Sequence, residues 1–210
     1  MRAKRFYLGV RDLHLYFGLF ISPFVLVFAV SVFFLVHAWV PFSAGRHGTS
    51  RKAAALGLPP DLNRLDGRAR IDALRPVLDQ LGVAGEIGFV QHERAEHILV
   101  IPVVVPGRET TVELDYLPGS ATVTPQVTGV AQALIELHKS PGPHLAAIRG
   151  NWVMTRVWRW LADATVYLVL FISASGIYLW TVLRAERMTG LVLMTAGAFS
   201  FFGLVYALCH

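Results

Sequence analysis

Three stretches of this chain are too long and too apolar for the interior of a domain of this size. Tyr16–Val40 and Met188–Leu208 carry no charged side chain, and Leu161–Leu183 carries only Asp163. At a helical rise of ~1.5 Å per residue, each run is long enough to cross a hydrocarbon core of ~30 Å. Composition agrees: 54% hydrophobic and 16% charged residues, with a mean hydropathy of +0.52, lie outside the range of an ordinary soluble domain. A cleaved leader is the competing reading for the first run. That run is longer than a leader's apolar region, and the Ala-Gly after Pro41 is a poor cleavage site. The expectation is a membrane protein with three transmembrane α-helices, placed within residues 1–41, 161–183 and 188–210.

Charge orients them. Arg2, Lys4, Arg5 and Arg11 precede the first helix, and Arg184 and Arg187 occupy the tight loop between the second and third. By the positive-inside rule these ends are cytoplasmic, so residues 42–160 and the C-terminus lie outside, as in a bacterial inner membrane. The remaining Lys and Arg fall in a segment long enough to escape that rule. Orientation and anionic lipid account for the net charge of +5, which gives no support to nucleic-acid binding. The single cysteine, Cys209, excludes an intramolecular disulfide and a Cys-rich metal or iron–sulfur site, and no Cys-x-x-Cys-His is present for covalent haem.

The first helix is expected from near Leu13 to Trp39–Pro41, kinked at Pro23, with Gly18 and Ser22 as a close-packing pair. Residues 42–67, rich in Gly, Ser, Arg and Pro, read as a linker. A module over 68–137 follows. Ile71, Leu74, Val77, Leu78 and Leu81 predict a helix over Arg68–Leu81, which Pro76 threatens to split and Gly82 ends. Strand-like runs at Glu86–Gln91, His97–Val105, Arg108–Tyr116 and Ala121–Pro125 are separated by Pro106-Gly107 and Pro118-Gly119, predicting an antiparallel meander. A second helix is expected over Val127–Leu137. Residues 138–160 form an interfacial collar with Trp152, Trp158, Trp160, Arg149, Arg156 and Arg159, and Asp163 has Arg159 one turn earlier as a local ion-pair partner. Gly190, Gly197 and Gly203 favour close packing of the third helix, within the chain or on another subunit.

These parts resemble the PepSY-associated transmembrane-helix family. Leu13-His14 followed by Gly18 looks like its opening motif, and residues 68–125 look like its extracytoplasmic α+β PepSY module. Leu137-His138 and Ser175-Gly176-Ile177-Tyr178-Leu179-Trp180 look like the motifs that bracket its next helix. The resemblance implies an inner-membrane protein, and some members resemble ferric-siderophore reductases that carry b-type haem on membrane histidines. This chain has three spans where the larger reductase-like members have more. Its spacing also lets either His138 or His144 stand in the family position.

A b-type haem needs two axial donors at one depth. Of the eight histidines, His14 lies at the inner end of the first helix and His37 near its outer end, about 34 Å along a straight helix, so the two cannot share one haem. His37 with His138 or His144 is the expected outer pair, and His14 would need a donor from another subunit or a non-histidine ligand. Simple interfacial anchoring is the plainer role for each. Arg156 and Arg159 could hold haem propionates or an anionic siderophore. His47, His92 and His97 fall in the linker and module, where solvated or structural roles dominate. His210 beside Cys209 is a weak metal-binding pair. No hydrolase triad, His-Glu-x-x-His, phosphate loop or dinucleotide fingerprint is present. Two functions follow from different classes: transmembrane electron transfer towards ferric iron or a ferric siderophore, served by a redox partner or quinol, or a non-catalytic subunit anchoring a larger membrane complex.

Overall fold

The computed structural model describes residues 2–37, 46–93, 95–139, 147–183 and 187–209, and in it the three apolar runs are helices. They are α1 (Arg2–Val36), α4 (Val153–Leu183) and α5 (Arg187–Cys209), each long and apolar enough to cross a membrane. The protein is a multi-pass membrane protein. Between α1 and α4 in sequence lies an antiparallel sheet module with two helices, α2 (Gly67–Gln80) and α3 (Val130–Lys139). The chain divides into two compact units, Met1–Pro23 with Ala164–His210, and Phe24–Asp163.

Three helices depart from the sequence expectation, among them α3, which runs Val130–Lys139 rather than Val127–Leu137 because Val127 ends a strand. α1 starts at Arg2 and runs through Pro23 as one helix; Trp39 and Pro41 lie outside the described residues. α4 starts at Val153, so most of the Trp–Arg collar forms its first turns. Charged residues marked the edge of the apolar run but do not end a helix, since Arg is a good helix former. With 31 residues, α4 is about 46 Å long, well beyond a ~30 Å hydrocarbon core.

The module's core lies between α2 and one face of the sheet. The apolar stripe of α2 is buried as expected: Ile71, Leu74, Val77, Leu78 and Leu81 are all at most 5% exposed. Pro76 sits on the exposed face of an unbroken helix, so only one backbone bond is forfeited there. Gly82, at φ +63°, closes α2 in a Schellman arrangement, with Gly82 N–H on Asp79 O (3.0 Å) and Val83 N–H on Leu78 O (2.9 Å). Facing α2, alternate residues of β5 (Ile98–Val105), β6 (Arg108–Asp115) and β7 (Ser120–Val127) are buried, among them Leu99, Ile101, Val103, Val112, Leu114 and Val123.

The edges correct the expectation of a passive linker. Residues Arg46–His47 (β1) and Arg51–Ala53 (β2) pair with β7, while Glu86–Ile87 (β3) and Gln91–Glu93 (β4) pair with β5 on the other side. Both edges break opposite a proline. Gly48 N–H donates to Pro125 O at 2.7 Å and Gly88 N–H to Pro102 O at 2.8 Å. Each proline therefore turns its missing N–H towards the break, and pairing resumes one residue out of register beyond it. Both places suit glycine: a Cβ at Gly48 would clash with the Pro125 ring at 2.8 Å, and one at Gly88 would crowd the Pro102 ring at 3.2 Å.

The β3 edge also holds the start of α4. The Glu86 carboxylate accepts from the backbone N–H of Gly150, Asn151 (3.2 Å) and Trp152 (2.8 Å). The Asn151 amide pairs with Ile87 as a strand residue would, accepting from its N–H at 3.0 Å and donating to its carbonyl at 2.8 Å. Arg75 on α2 completes the join with bonds to Gly85 O and to Asn151. Glu86→Ala or Asn151→Ala is expected to cost about 1–3 kcal/mol, read as a lower melting temperature in detergent and faster protease cleavage near Gly150.

Candidate functional site

The covered positions of α1 repeat every three and four residues. His14, Phe17, Phe24 and Phe28 are half-buried, and Ile21 and Ser31 are buried at 2% and 1% exposure. This is a heptad-like seam, and it puts a histidine and a serine on one helix face. Gly18 lies beside the seam, with Ile172 Cδ1 4.0 Å from where its Cβ would be; Ser22 is exposed and bonds only its own helix, so the expected Gly18–Ser22 packing pair does not form.

Near the start of α1, His14 Nδ1 lies 2.8 Å from Ser175 Oγ of α4. The Ser175 hydroxyl has one proton, with Ile172 O within reach at 3.2 Å. The pair therefore bonds in either of two ways: the serine donates to its own helix and accepts from His14 Nδ1–H, or it donates to an unprotonated Nδ1, according to the imidazole tautomer. Gly176 adjoins the ring: a Cβ there would sit 3.4 Å from His14 Cε1. Edge-to-face contacts of Phe17 with Phe171 (5.5 Å) and Phe6 with Tyr178 (5.6 Å) pack the same two helices on either side.

The second histidine repeats this chemistry with the donors exchanged between elements. His138, in the last turn of α3, has Nδ1 3.0 Å from Ser31 Oγ of α1, and Ser31 donates to Phe28 O at 2.7 Å. Phe28 meets the His138 ring edge-on at 5.5 Å and the Trp158 ring at 5.9 Å. Trp158 Nε1–H donates to Leu137 O at 2.9 Å, satisfying a carbonyl that the end of α3 leaves open. Ser31, His138 and Trp158 thus join α1, α3 and α4.

The family model described as PepSY_TM-like matches residues 8–210. The chain belongs to the PepSY_TM-like family. No curated protein and no solved structure matches it.

In this PepSY_TM-like protein the other expected site residues are placed differently. His37 donates from Nδ1 to Phe33 O at 2.9 Å and stacks on the Phe33 ring at 4.3 Å, so these contacts fold it back on its own helix. His144 and His210 lie outside the described residues. Arg159 and Arg156 lie over Gly150, whose Cβ would come 3.1 Å from the Arg159 guanidinium and 3.3 Å from Arg156 Cγ. The expected Arg159–Asp163 ion pair is not formed: Asp163 is exposed, and the ion pairs among the described residues are elsewhere. One turn of separation permits such a pair but does not compel it, and an exposed pair gains little. Among the described residues no three His, Cys, Asp or Glu side chains cluster as a metal site.

Sequence reasoning missed Ser31 and missed what Ser175 does. The signal for Ser31 was its place on the seam that also carries His14. On α5 the glycines separate into two kinds. A side chain at Gly190 would collide with the Trp180 indole, while Gly197 and Gly203 have no atom within 4 Å of a Cβ position. Gly190→Leu is expected to lower the melting temperature of the detergent-solubilised protein by several degrees, and Gly197→Leu to leave it unchanged, when both are followed by tryptophan fluorescence.

Proposed function

We propose that this PepSY_TM-like protein moves electrons across a bacterial inner membrane, and that His14 and His138 are the residues that would each hold a b-type haem through an imidazole nitrogen. The observation that carries the reading is the shared arrangement: in both places a buried serine, in contact with a carbonyl of its own helix, engages a histidine at Nδ1 and leaves Nε2 outside that bond. A neutral imidazole with an oriented second nitrogen is the donor that haem iron takes. The donor chemistry therefore fits, and the missing side chain at Gly176 leaves the His14 ring edge clear. Such a group would supply one-electron redox chemistry. This chain's part is to hold each imidazole in one orientation. Arg156 and Arg159 are the cations available to carboxylates on the α4 side. The second donor at His138 would be His37 or His144, and that at His14 would come from another subunit or a non-histidine ligand. With the N-terminus inside, His14 belongs to the inner end of the span and Ser31 to the outer end. Electrons from quinol or a redox partner would pass outward to ferric iron or a ferric siderophore.

The test is an absorption spectrum of the gently purified protein, oxidised and then reduced with dithionite. A Soret band with sharp reduced α and β bands is expected, lost in part in His14→Ala and in His138→Ala. Ser31→Ala and Ser175→Ala should keep the haem and shift its potential. A spectrum holding only the protein band, from material still carrying its partners, overturns the proposal.

A second reading rests on α5. Every described residue of that helix except Gly190 is exposed, as suits a subunit that docks on a larger membrane complex without chemistry of its own. Under that reading Gly197→Leu or Gly203→Leu should abolish co-purification of a partner, and the histidine variants should change nothing.

A further inference from the structure

A separate constellation lies in the sheet module, at the open end of its core face. His92 on β4 stands opposite Leu99 in the ladder, and Leu99 stands opposite Leu114, so His92 shares the face that α2 covers. Tyr116 follows Leu114 by two residues and packs partly against the core. His97 precedes β5 and is tied to Tyr116 by a backbone bond, Tyr116 N–H to His97 O at 3.2 Å. The three side chains converge on one atom. The Tyr116 hydroxyl oxygen lies 3.2 Å from His92 Nε2 and 3.3 Å from His97 Nδ1, with both imidazoles edge-on to the phenol ring at 5.7 Å.

We infer that His92, His97 and Tyr116 form a binding site for a divalent first-row transition-metal ion of the Zn²⁺ or Cu²⁺ class. Three observations support it. First, the two donor separations from the Tyr116 oxygen, 3.2 and 3.3 Å, match the ~3.3 Å between donors bound at about 2.0–2.1 Å in a tetrahedral array. Second, His97 holds φ +58° in the turn before β5, and this conformation sets its ring beside Tyr116. Third, all three side chains line a cleft of about 550 Å³, which leaves room for water or a further ligand on the ion. Two imidazoles with an oxygen donor select this class of ion over Mg²⁺ or Ca²⁺. The nearby arginines do not repel it outright, because Arg70 is paired with Asp66 at 2.7 Å and Arg64 with Asp61 at 3.5 Å.

Binding needs no redox step. The Tyr116 O–H bond breaks, its proton passes to solvent, and the oxygen lone pair forms the bond to the metal while both imidazoles bind through unprotonated nitrogens. Affinity should therefore rise with pH, with proton release on binding.

The experiment uses the full-length, metal-stripped protein in detergent, titrated with Zn²⁺ by calorimetry and by ultraviolet difference absorption. One equivalent is expected to bind with a tyrosinate difference band. His92→Ala and His97→Ala should each weaken that event by at least about ten-fold. Tyr116→Phe, which keeps the ring packing, should remove the band and weaken binding. Melting curves without metal show whether each variant is folded. Absence of Zn²⁺ binding in the unaltered protein overturns the inference. So does unchanged affinity in the folded histidine variants, or a tyrosinate band that survives Tyr116→Phe.

Discussion

Three backbone N–H groups just before α4 end on one carboxylate, that of Glu86, and much of this structure depends on that contact. The three groups belong to Gly150, Asn151 and Trp152, the segment that leads into α4 at Val153, so the carboxylate fixes the approach to the helix. A negative charge there also suits the positive end of the helix dipole, and α4 has no acidic residue in its own first turn. The Asn151 amide, paired to Ile87 in the manner of a strand, covers a stretch of sheet edge that would otherwise be open. One segment thus leads into a helix and completes a sheet at once. A change that loosens one loosens the other, so the module and the base of the spanning helix are expected to melt together.

The two histidines follow from a similar economy of hydrogen bonds. A hydroxyl buried among apolar helices is costly unless bonded. Ser31 and Ser175 avoid that cost at the carbonyl three residues back. The same oxygens also meet His138 and His14 at Nδ1, so each serine ties an imidazole to a helix backbone and fixes which ring nitrogen is engaged. Serine does this where alanine could not, and without bringing a charge into the bilayer.

Much of the architecture was legible because its signals were local. Uncharged runs located the spans, the spacing of Ile71, Leu74, Val77 and Leu78 located α2 and its buried face, and Pro-Gly pairs located the turns. His14 and His138 stood out as ionisable residues at helix ends. What stayed hidden needed partners distant in sequence. Arg51–Ala53 is too short and too polar to announce a strand, and becomes one because β7 has an unpaired edge. Ser31 and Ser175 look like ordinary helix-packing residues until a histidine faces them. The Tyr116 convergence needs His92 on β4, His97 in the turn before β5 and Tyr116 just past β6, and no spacing rule for single helices or strands contains that arrangement.

Pro102 shows how one local rule shapes both regions of interest in the module. It sits within β5 with an unbroken ladder to β6 on one side, so its missing donor and its carbonyl both face the other edge. No continuous strand can pair there, and the chain divides into β3 and β4 with Gly88 between them. The division leaves β3 at one end, with Glu86 and Ile87 turned to the start of α4. It leaves β4 at the other end, one residue out of register, with His92 in line with the buried row and near Tyr116. A continuous eight-residue edge would shift β3 against β4 by one position and so reverse the faces of one of them. The carboxylate that holds the approach to α4 and the histidine beside Tyr116 could not then both keep their places. Two short edge strands also offer less template for pairing with another chain than one long strand would.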